Sequence, residues 1–309
     1  MEFLAERFRP TQLEAAGELS DRYVFIDGRF VKGRDASILV WDRGLLYGDG
    51  VFEGIRVYSG RIFKLREHID RLYDSAKAIG MENIPLTKDE MCEAVVRTVR
   101  INELRDAHVR VVVTRGVGRL GLDPRGAVRP TVIIMAYPYP PLLGEKPARL
   151  ITSSIRKKSP HSIDAKIKSL NYLENILAKL QAVAAGMDDA IIMDMAGAIA
   201  EGTGENIFVV KDGVISTPRT IACLHGVTRA TVMELAERMG LKVVERDITV
   251  QELYTADEIF LAGTAAGIHP VAEVDGRRIG REVPGPITRR IREAYERCVV
   301  EEHVIDVYG

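Results

Sequence analysis

Hydrophobic positions along this chain switch between two periods, two and roughly 3.6, and the switches lay out its elements. Tyr23-Val24-Phe25-Ile26 and Arg29-Phe30-Val31 flank Asp27-Gly28, whose residue types supply the positive φ angles of a tight hairpin. A second hairpin is expected at Ser59-Gly60. Ile69, Leu72, Tyr73, Ala76 and Ile79 recur at helical spacing, and Thr87 three residues before Glu90 is the wording of a capping box opening another helix. Val109 to Thr114 and Thr131 to Ala136 are β-branched runs, so the first half mixes a sheet with two helices. Further on, strands are expected at Leu150 to Ser154, Ala190 to Met193, Ile207 to Val210 and Glu258 to Leu261. Helices are expected at Tyr172 to Ala185, 228–239 and 286–300, the last with Pro286 at its first position, and hairpins at Asp212-Gly213 and Asp275-Gly276. The fold class is α+β. Strict β-α-β alternation is absent and no Gly-x-Gly-x-x-Gly joins a strand to a helix, which disfavours a Rossmann unit.

One composition break divides this pattern. Residues 138–147 hold four of the 13 prolines, and proline stiffens the backbone and removes donors, so the segment reads as a linker between residues 1–137 and 148–309. With 309 residues, 46% hydrophobic and 28% charged, the chain has ample length for two domains with cores of their own. Its 43 basic and 44 acidic residues leave a formal charge of -1, without the bulk positive field that non-specific nucleic-acid binding uses. No run approaches the ~18 apolar residues of a membrane span, and charges stand among the first seven residues, which points to the cytoplasm. Cys92, Cys223 and Cys298 are far apart and read as buried thiols. The six histidines show no ligand spacing, so no metal is expected.

Four stretches could carry chemistry. Lys168 stands between a short apolar-polar alternation and a long helix, where partial desolvation would free its amine as a nucleophile toward a carbonyl. Lys166 would share its face in an extended segment, and periodicity does not choose between the two. Glu201-Gly202-Thr203-Gly204-Glu205 sets glycines, which allow close approach of a flat ligand, beside carboxylates that could neutralise a protonated ring nitrogen. Gly226-Val227-Thr228-Arg229 opens a helix whose unpaired N–H groups suit a phosphate, and Gly263-Thr264-Ala265-Ala266 offers a second amide cluster. With Arg56 these could cradle one phosphate from three directions. Singly, each is equally a surface lysine, a turn or a cap. Jointly they match the needs of pyridoxal phosphate.

The wording and order of these motifs, together with Phe52-Glu53-Gly54-Ile55-Arg56 and Leu120-Gly121-Leu122-Asp123-Pro124, resemble the fold-type IV (class IV) pyridoxal-phosphate aminotransferases, most closely the branched-chain amino acid aminotransferases. The resemblance runs from about Tyr23 to Arg297 and leaves residues 1–20 outside it. It implies the two-domain D-amino-acid aminotransferase-like fold, with a small N-terminal α/β domain and a larger, sheet-rich C-terminal domain that binds the cofactor. It further implies Lys168 as the Schiff-base residue and proton carrier, Glu201 at the pyridine nitrogen, Tyr172 at the ring hydroxyl and Leu224 on the ring face. Arg56, Val227, Thr228 and Thr264 match the family's phosphate contacts. Tyr47, Phe52 and Gly54 match its side-chain pocket, and Arg110 with the backbone of Thr264, Ala265 and Ala266 matches its α-carboxylate region. The implied reaction moves the amino group of leucine, isoleucine or valine to 2-oxoglutarate by a ping-pong route, in an assembly that is at least a homodimer with a small-domain loop from the partner closing the pocket.

The chain also departs from the family. His108 stands where branched-chain enzymes often carry tyrosine, and Tyr139 and Leu142 where they often carry tryptophan and tyrosine. Arg119 occupies a position that D-amino-acid aminotransferases use for a carboxylate, although Gly121 stands in place of the histidine that accompanies it there. A D-amino-acid or (R)-amine transaminase is therefore the alternative expectation, followed by aminodeoxychorismate lyase and a non-catalytic binding protein.

Overall fold

The computed structural model describes residues 17–138 and 143–309. Tyr139 and Leu142, singled out above, lie outside the described residues, as do residues 1–16.

The first half is built on an antiparallel sheet. β1 (Tyr23–Ile26) and β2 (Arg29–Lys32) form the expected hairpin, with Asp27 and Gly28 both left-handed at φ 46° and 88°. A short helix α1 (Arg43–Tyr47) precedes the long β3 (Gly50–Tyr58), which turns through Ser59-Gly60 into β4 (Arg61–Phe63). Helices α2 (Leu65–Ala78) and α3 (Lys88–Ile101) follow, then β5 (Ala107–Thr114) and β6 (Thr131–Tyr137). The capping box of α3 is formed, with Glu90 N–H donating to Thr87 Oγ1 and Thr87 N–H to Glu90 Oε2. The spatial order is β4-β3-β5-β6-β1-β2. Leu65, Ile69, Leu72 and Ala76 of α2 are buried against this sheet with Met91, Val95 and Val99 of α3, each large side chain contributing about 1.5–3 kcal/mol by leaving water.

The second half opens with β7 (Ala148–Arg156), α4 (Leu173–Ala184), β8 (Asp189–Met193), β9 (Ile199–Glu201), β10 (Asn206–Lys211) and β11 (Val214–Thr217). It continues through α5 (Val227–Arg238), β12 (Val243–Glu245), α6 (Val250–Tyr254), β13 (Glu258–Gly263), β14 (Gly267–Val274), β15 (Arg277–Arg278) and α7 (Pro286–Glu301). The strands make one mixed sheet, β12-β11-β10-β13-β14-β7-β8-β9, with β15 paired to β14. Asp212-Gly213 and Asp275-Gly276 form the expected hairpins β10–β11 and β14–β15, whereas the parallel pairings β14 with β7, β7 with β8 and β11 with β12 join segments far apart in sequence. The chain ends on β16 (Val304–Asp306), which returns to the first sheet beside β4 and carries Val307 into that sheet's core.

The two halves meet at one pairing that matters for function. Val51 at the start of β3 bridges Ser169, Lys168 C=O accepts from Phe52 N–H at 2.9 Å, and Leu170 N–H donates to Gly50 C=O at 2.9 Å. No helix among the described residues is long and apolar enough to cross a membrane.

Candidate active site

The backbone pairing just described aims Lys168. Its own N–H donates to Ser75 Oγ on α2 at 3.1 Å, so residue 168 is tied on both sides and its side chain enters a cavity of about 290 Å³ between the halves. There Nζ lies 3.2 Å from the Tyr172 hydroxyl and 4.6 Å from the centre of the Phe52 ring. Tyr172 immediately precedes α4, and its ring packs edge-on against Phe52 at 4.9 Å. Lys166, which periodicity alone did not separate from Lys168, is exposed.

The rest of the cavity wall supplies donors. Gly226 precedes α5, no side chain caps that helix among the described residues, and Val227 and Thr228 of its first turn line the cavity opposite Thr264 and Ala265. Gly226 is required by crowding, because a Cβ there would sit 2.1 Å from Asn206 Oδ1. Among the described residues that line the cavity none is acidic, whereas Lys168, Arg71, His108 and Arg110 all line it. Unpaired helix N–H groups and cations without carboxylates in the same space favour an anion carrying phosphate or carboxylate groups.

Beneath Leu224 lies the acidic counterpart. Glu201, at the end of β9, accepts from Leu224 N–H through Oε2 at 2.9 Å and pairs through Oε1 with Lys157 Nζ at 2.9 Å. Lys157 also meets Glu174 at 3.0 Å. Burial disfavours the Lys157 ammonium, but the two carboxylates outweigh it and raise its pKa above the ordinary lysine value. His108 shifts the other way. Burial, reinforced by Arg110 and Arg56, pushes its pKa down to about 4, so it is neutral at ordinary pH.

Of the residues singled out from the sequence, Lys168, Phe52, Gly54, Arg110, Tyr172, Leu224, Val227, Thr228, Thr264 and Ala265 line this one cavity, whereas Glu201 lines an adjoining one with Lys157 and Glu174, Tyr172 and Leu224 being shared by both. Arg56 and Ala266 line a neighbouring cavity beyond the Thr264–Ala266 turn, with Tyr58 and Tyr295. There Nε and Nη1 of Arg56 are buried with no hydrogen-bond partner among the described residues. Tyr47 is outside both, its hydroxyl accepting from Gly121 N–H at 2.9 Å, because α1 ends at a left-handed Gly48 and faces the loop that carries Arg119. Besides Arg110, the arginine that lines the Lys168 cavity is Arg71, which the sequence reading missed. It donates through Nε to Glu53 Oε1 at 2.7 Å and through Nη1 to His225 C=O at 2.9 Å, joining α2 and β3 to the approach to α5. Its signal was available: Glu53 is the one charge in the buried run Val51–Ile55, and a carboxylate buried there needs a cation from an element packed on the strand.

Residues 50–274 match the family model described as amino-transferase class IV. A Methanocaldococcus jannaschii protein provisionally named a branched-chain-amino-acid aminotransferase is 53% identical over 88% of this chain and 95% of its own length. The branched-chain-amino-acid aminotransferase of Pseudomonas aeruginosa is 42% identical over 89% of this chain and 92% of its own. Among solved structures, the T.th. branched-chain amino acid aminotransferase complexed with N-(5'-phosphopyridoxyl)-L-glutamate superposes with a TM-score of 0.89 at 37% identity, covering 94% of this chain and 100% of that one. The norvaline-bound branched-chain aminotransferase of Thermoproteus uzoniensis gives 0.88 at 40% identity, covering 93% and 99%. The two sheets and their helices are those of the fold-type IV enzymes, as expected, and with matches over most of its length this chain belongs to the class IV aminotransferases.

Proposed function

We propose that this protein is a pyridoxal-phosphate-dependent transaminase that moves the amino group of leucine, isoleucine or valine to 2-oxoglutarate by a ping-pong route. The observation that carries the reading is Lys168 Nζ held 3.2 Å from the Tyr172 hydroxyl, in a cavity lined by cations and an uncapped helix start, with the buried Glu201 carboxylate bonded to the backbone of its lining residue Leu224. These residues fit the cofactor group by group. The first turn of α5, Thr228, Thr264 and Arg71 would hold its phosphate, Tyr172 its ring hydroxyl, Leu224 its ring face and Glu201 its ring nitrogen. Arg71 takes the place at the phosphate given above to Arg56, because Arg71 shares the cavity with Thr228 and Thr264. When bound, the cofactor supplies an aldehyde and a ring that accepts electron density from the substrate Cα.

The chain's own residues do the rest. Lys168 takes the Cα proton and returns one to the adjoining cofactor carbon, as both base and acid. Arg110 and the Thr264-Ala265 backbone orient the substrate carboxylate. Phe52 and Gly54 bound the side-chain space, with Gly54 kept small because a Cβ there would meet His108 at 3.0 Å. An apolar pocket discriminates by only about 1–3 kcal/mol per methylene, so the three branched substrates should all be accepted. Mixing holoenzyme with L-leucine should convert the cofactor absorption to its amine form, and D-alanine should leave it unchanged. The reverse result would transfer the assignment to the D-amino-acid alternative.

The proposal includes a cytoplasmic setting, a domain division at residues 138–147 and assembly as at least a homodimer. Leu173, Ile176, Leu177, Leu180 and Val183 form an exposed apolar stripe on α4, and Leu120 and Leu122 stand exposed on a loop tied down by Arg43. Apolar surface of that kind marks an interface. Tyr47 and this loop lie outside their own cavity, which supports their serving the cavity of a second copy. Leu180→Glu is expected to yield a monomer on size exclusion with activity reduced at least about tenfold, since a charge cannot be desolvated in the interface without a partner.

A further inference from the structure

We propose that Lys157, with Glu174, is a positioning residue for the reaction: it holds the Glu201 carboxylate in place and aimed at the cofactor side of the cavity. The inference rests on the reading of Glu201 given above. Lys157 continues β7, its N–H donating to Met193 C=O of β8 at 2.9 Å, so its backbone is fixed by the sheet. Its ammonium lies between Glu201 Oε1 at 2.9 Å and Glu174 Oε1 at 3.0 Å, with all three side chains at least 87% buried. Glu174 is anchored in turn, its Oε2 accepting from Lys158 N–H at 3.1 Å in the first turn of α4, two residues after Tyr172. The half-buried Lys158 ammonium stands 3.9 Å from Glu174 Oε1, the oxygen that meets Lys157.

With one Glu201 oxygen on Lys157 and the other on Leu224 N–H, the carboxylate cannot rotate without losing a charge-assisted bond. Glu201 therefore presents its carboxylate in one orientation beside the ring position. Fold stability is a poor explanation for such a group, because buried ion clusters roughly break even against apolar replacements. Removing Lys157 alone would leave the buried Glu201 and Glu174 carboxylates without the cation between them, and their repulsion would turn Glu201 away.

The test uses purified holoenzyme and its cofactor-free form, with pyridoxal phosphate as the probe, reading the cofactor Kd and the pH midpoint of the bound cofactor's absorption change. K157M is expected to weaken binding by about tenfold or more and to displace the midpoint, the size of one lost charged hydrogen bond. K157R should stay within about threefold, and K157M/E174Q should recover most of the loss because the rival carboxylate is gone. Wild-type values for K157M in both readouts, or a double variant no better than K157M, would overturn the proposal. Should K157M fail to fold, E174Q decides alone: the midpoint must move while thermal stability does not, and an unmoved midpoint sinks the idea. E201Q separates the two levels. If it leaves the Kd and midpoint unchanged, the role of Glu201 itself fails. If E201Q changes them and K157M does not, only the role of Lys157 fails.

Discussion

Replacing Lys168 with alanine will lower kcat/KM for amino transfer by roughly 10⁴-fold or more, because one side chain acts both as the amine that takes up the cofactor aldehyde and as the proton carrier. Each of those functions alone contributes on the order of 10²–10⁴ in rate, and no other primary amine lines the cavity among the described residues. The loss should appear in kcat as well as kcat/KM, since the missing proton transfer belongs to the transition state rather than to substrate binding. Lys166→Ala is the matched control. Lys166 is exposed, and its removal should change the rate by less than about twofold. Borohydride reduction of the holoenzyme followed by peptide mapping should label residue 168 and leave 166 free. Label at 166, or full activity in Lys168→Ala, would undo the mechanistic proposal.

What the sequence revealed and what it concealed divide along physical lines. Turns and caps are local, so Asp27-Gly28, Asp212-Gly213, Asp275-Gly276 and the Thr87–Glu90 box were legible, and each turn adopts the paired left-handed backbone that its residue types allow. The parallel pairings of β7 and the return of β16 to the first sheet depend on contacts between distant segments, which no window of residue types encodes. The site shows the same division. Motif order brought Lys168, Tyr172, Glu201, Thr228 and Thr264 forward together. Periodicity did not separate Lys168 from Lys166; the motif did, and the register of residues 168–170 on β3 supplies the physical reason. Arg56 and Arg71 were confused for a related reason. Arg56 sits in a conspicuous motif on β3 and shares the strand face of Phe52 and Gly54, but it lies farther along the strand, beyond the Thr264–Ala266 turn, in the next cavity. Arg71 lies on a helix whose sequence shows only an apolar stripe, and its importance emerges once Glu53 is seen buried against it.

That pair carries the second large effect. Arg71→Met is expected to destabilise the protein by about 3–5 kcal/mol at pH 7.5 and to weaken pyridoxal phosphate binding at the same time. Glu53 is completely buried, and two Arg71 nitrogens meet its oxygens at 2.7 and 2.9 Å, with His68 Nδ1 at 2.8 Å. Burial alone would raise the carboxyl pKa, but the Arg71 charge and the His68 contact overcome it and hold Glu53 far below its ordinary value of about 4.5. A carboxyl whose pKa is depressed on folding adds stability at pH values above that ordinary value and loses it as the pH falls further. The wild-type protein should therefore lose stability as acid is added below about pH 4.5, partly through this group. In Arg71→Met the remaining carboxyl takes up a proton in the folded state, so that part of the acid sensitivity disappears while stability at neutral pH drops. The double variant Glu53→Gln/Arg71→Met leaves no uncompensated charge and should regain most of the lost stability without regaining cofactor affinity, since the guanidinium facing the phosphate is still missing. Urea unfolding of the three proteins at pH 7.5 and pH 4, alongside cofactor titration, distinguishes these outcomes. Equal stability of wild type and Arg71→Met at pH 7.5 would show that the buried carboxylate does not depend on Arg71, and recovery of cofactor affinity in the double variant would remove Arg71 from the phosphate site.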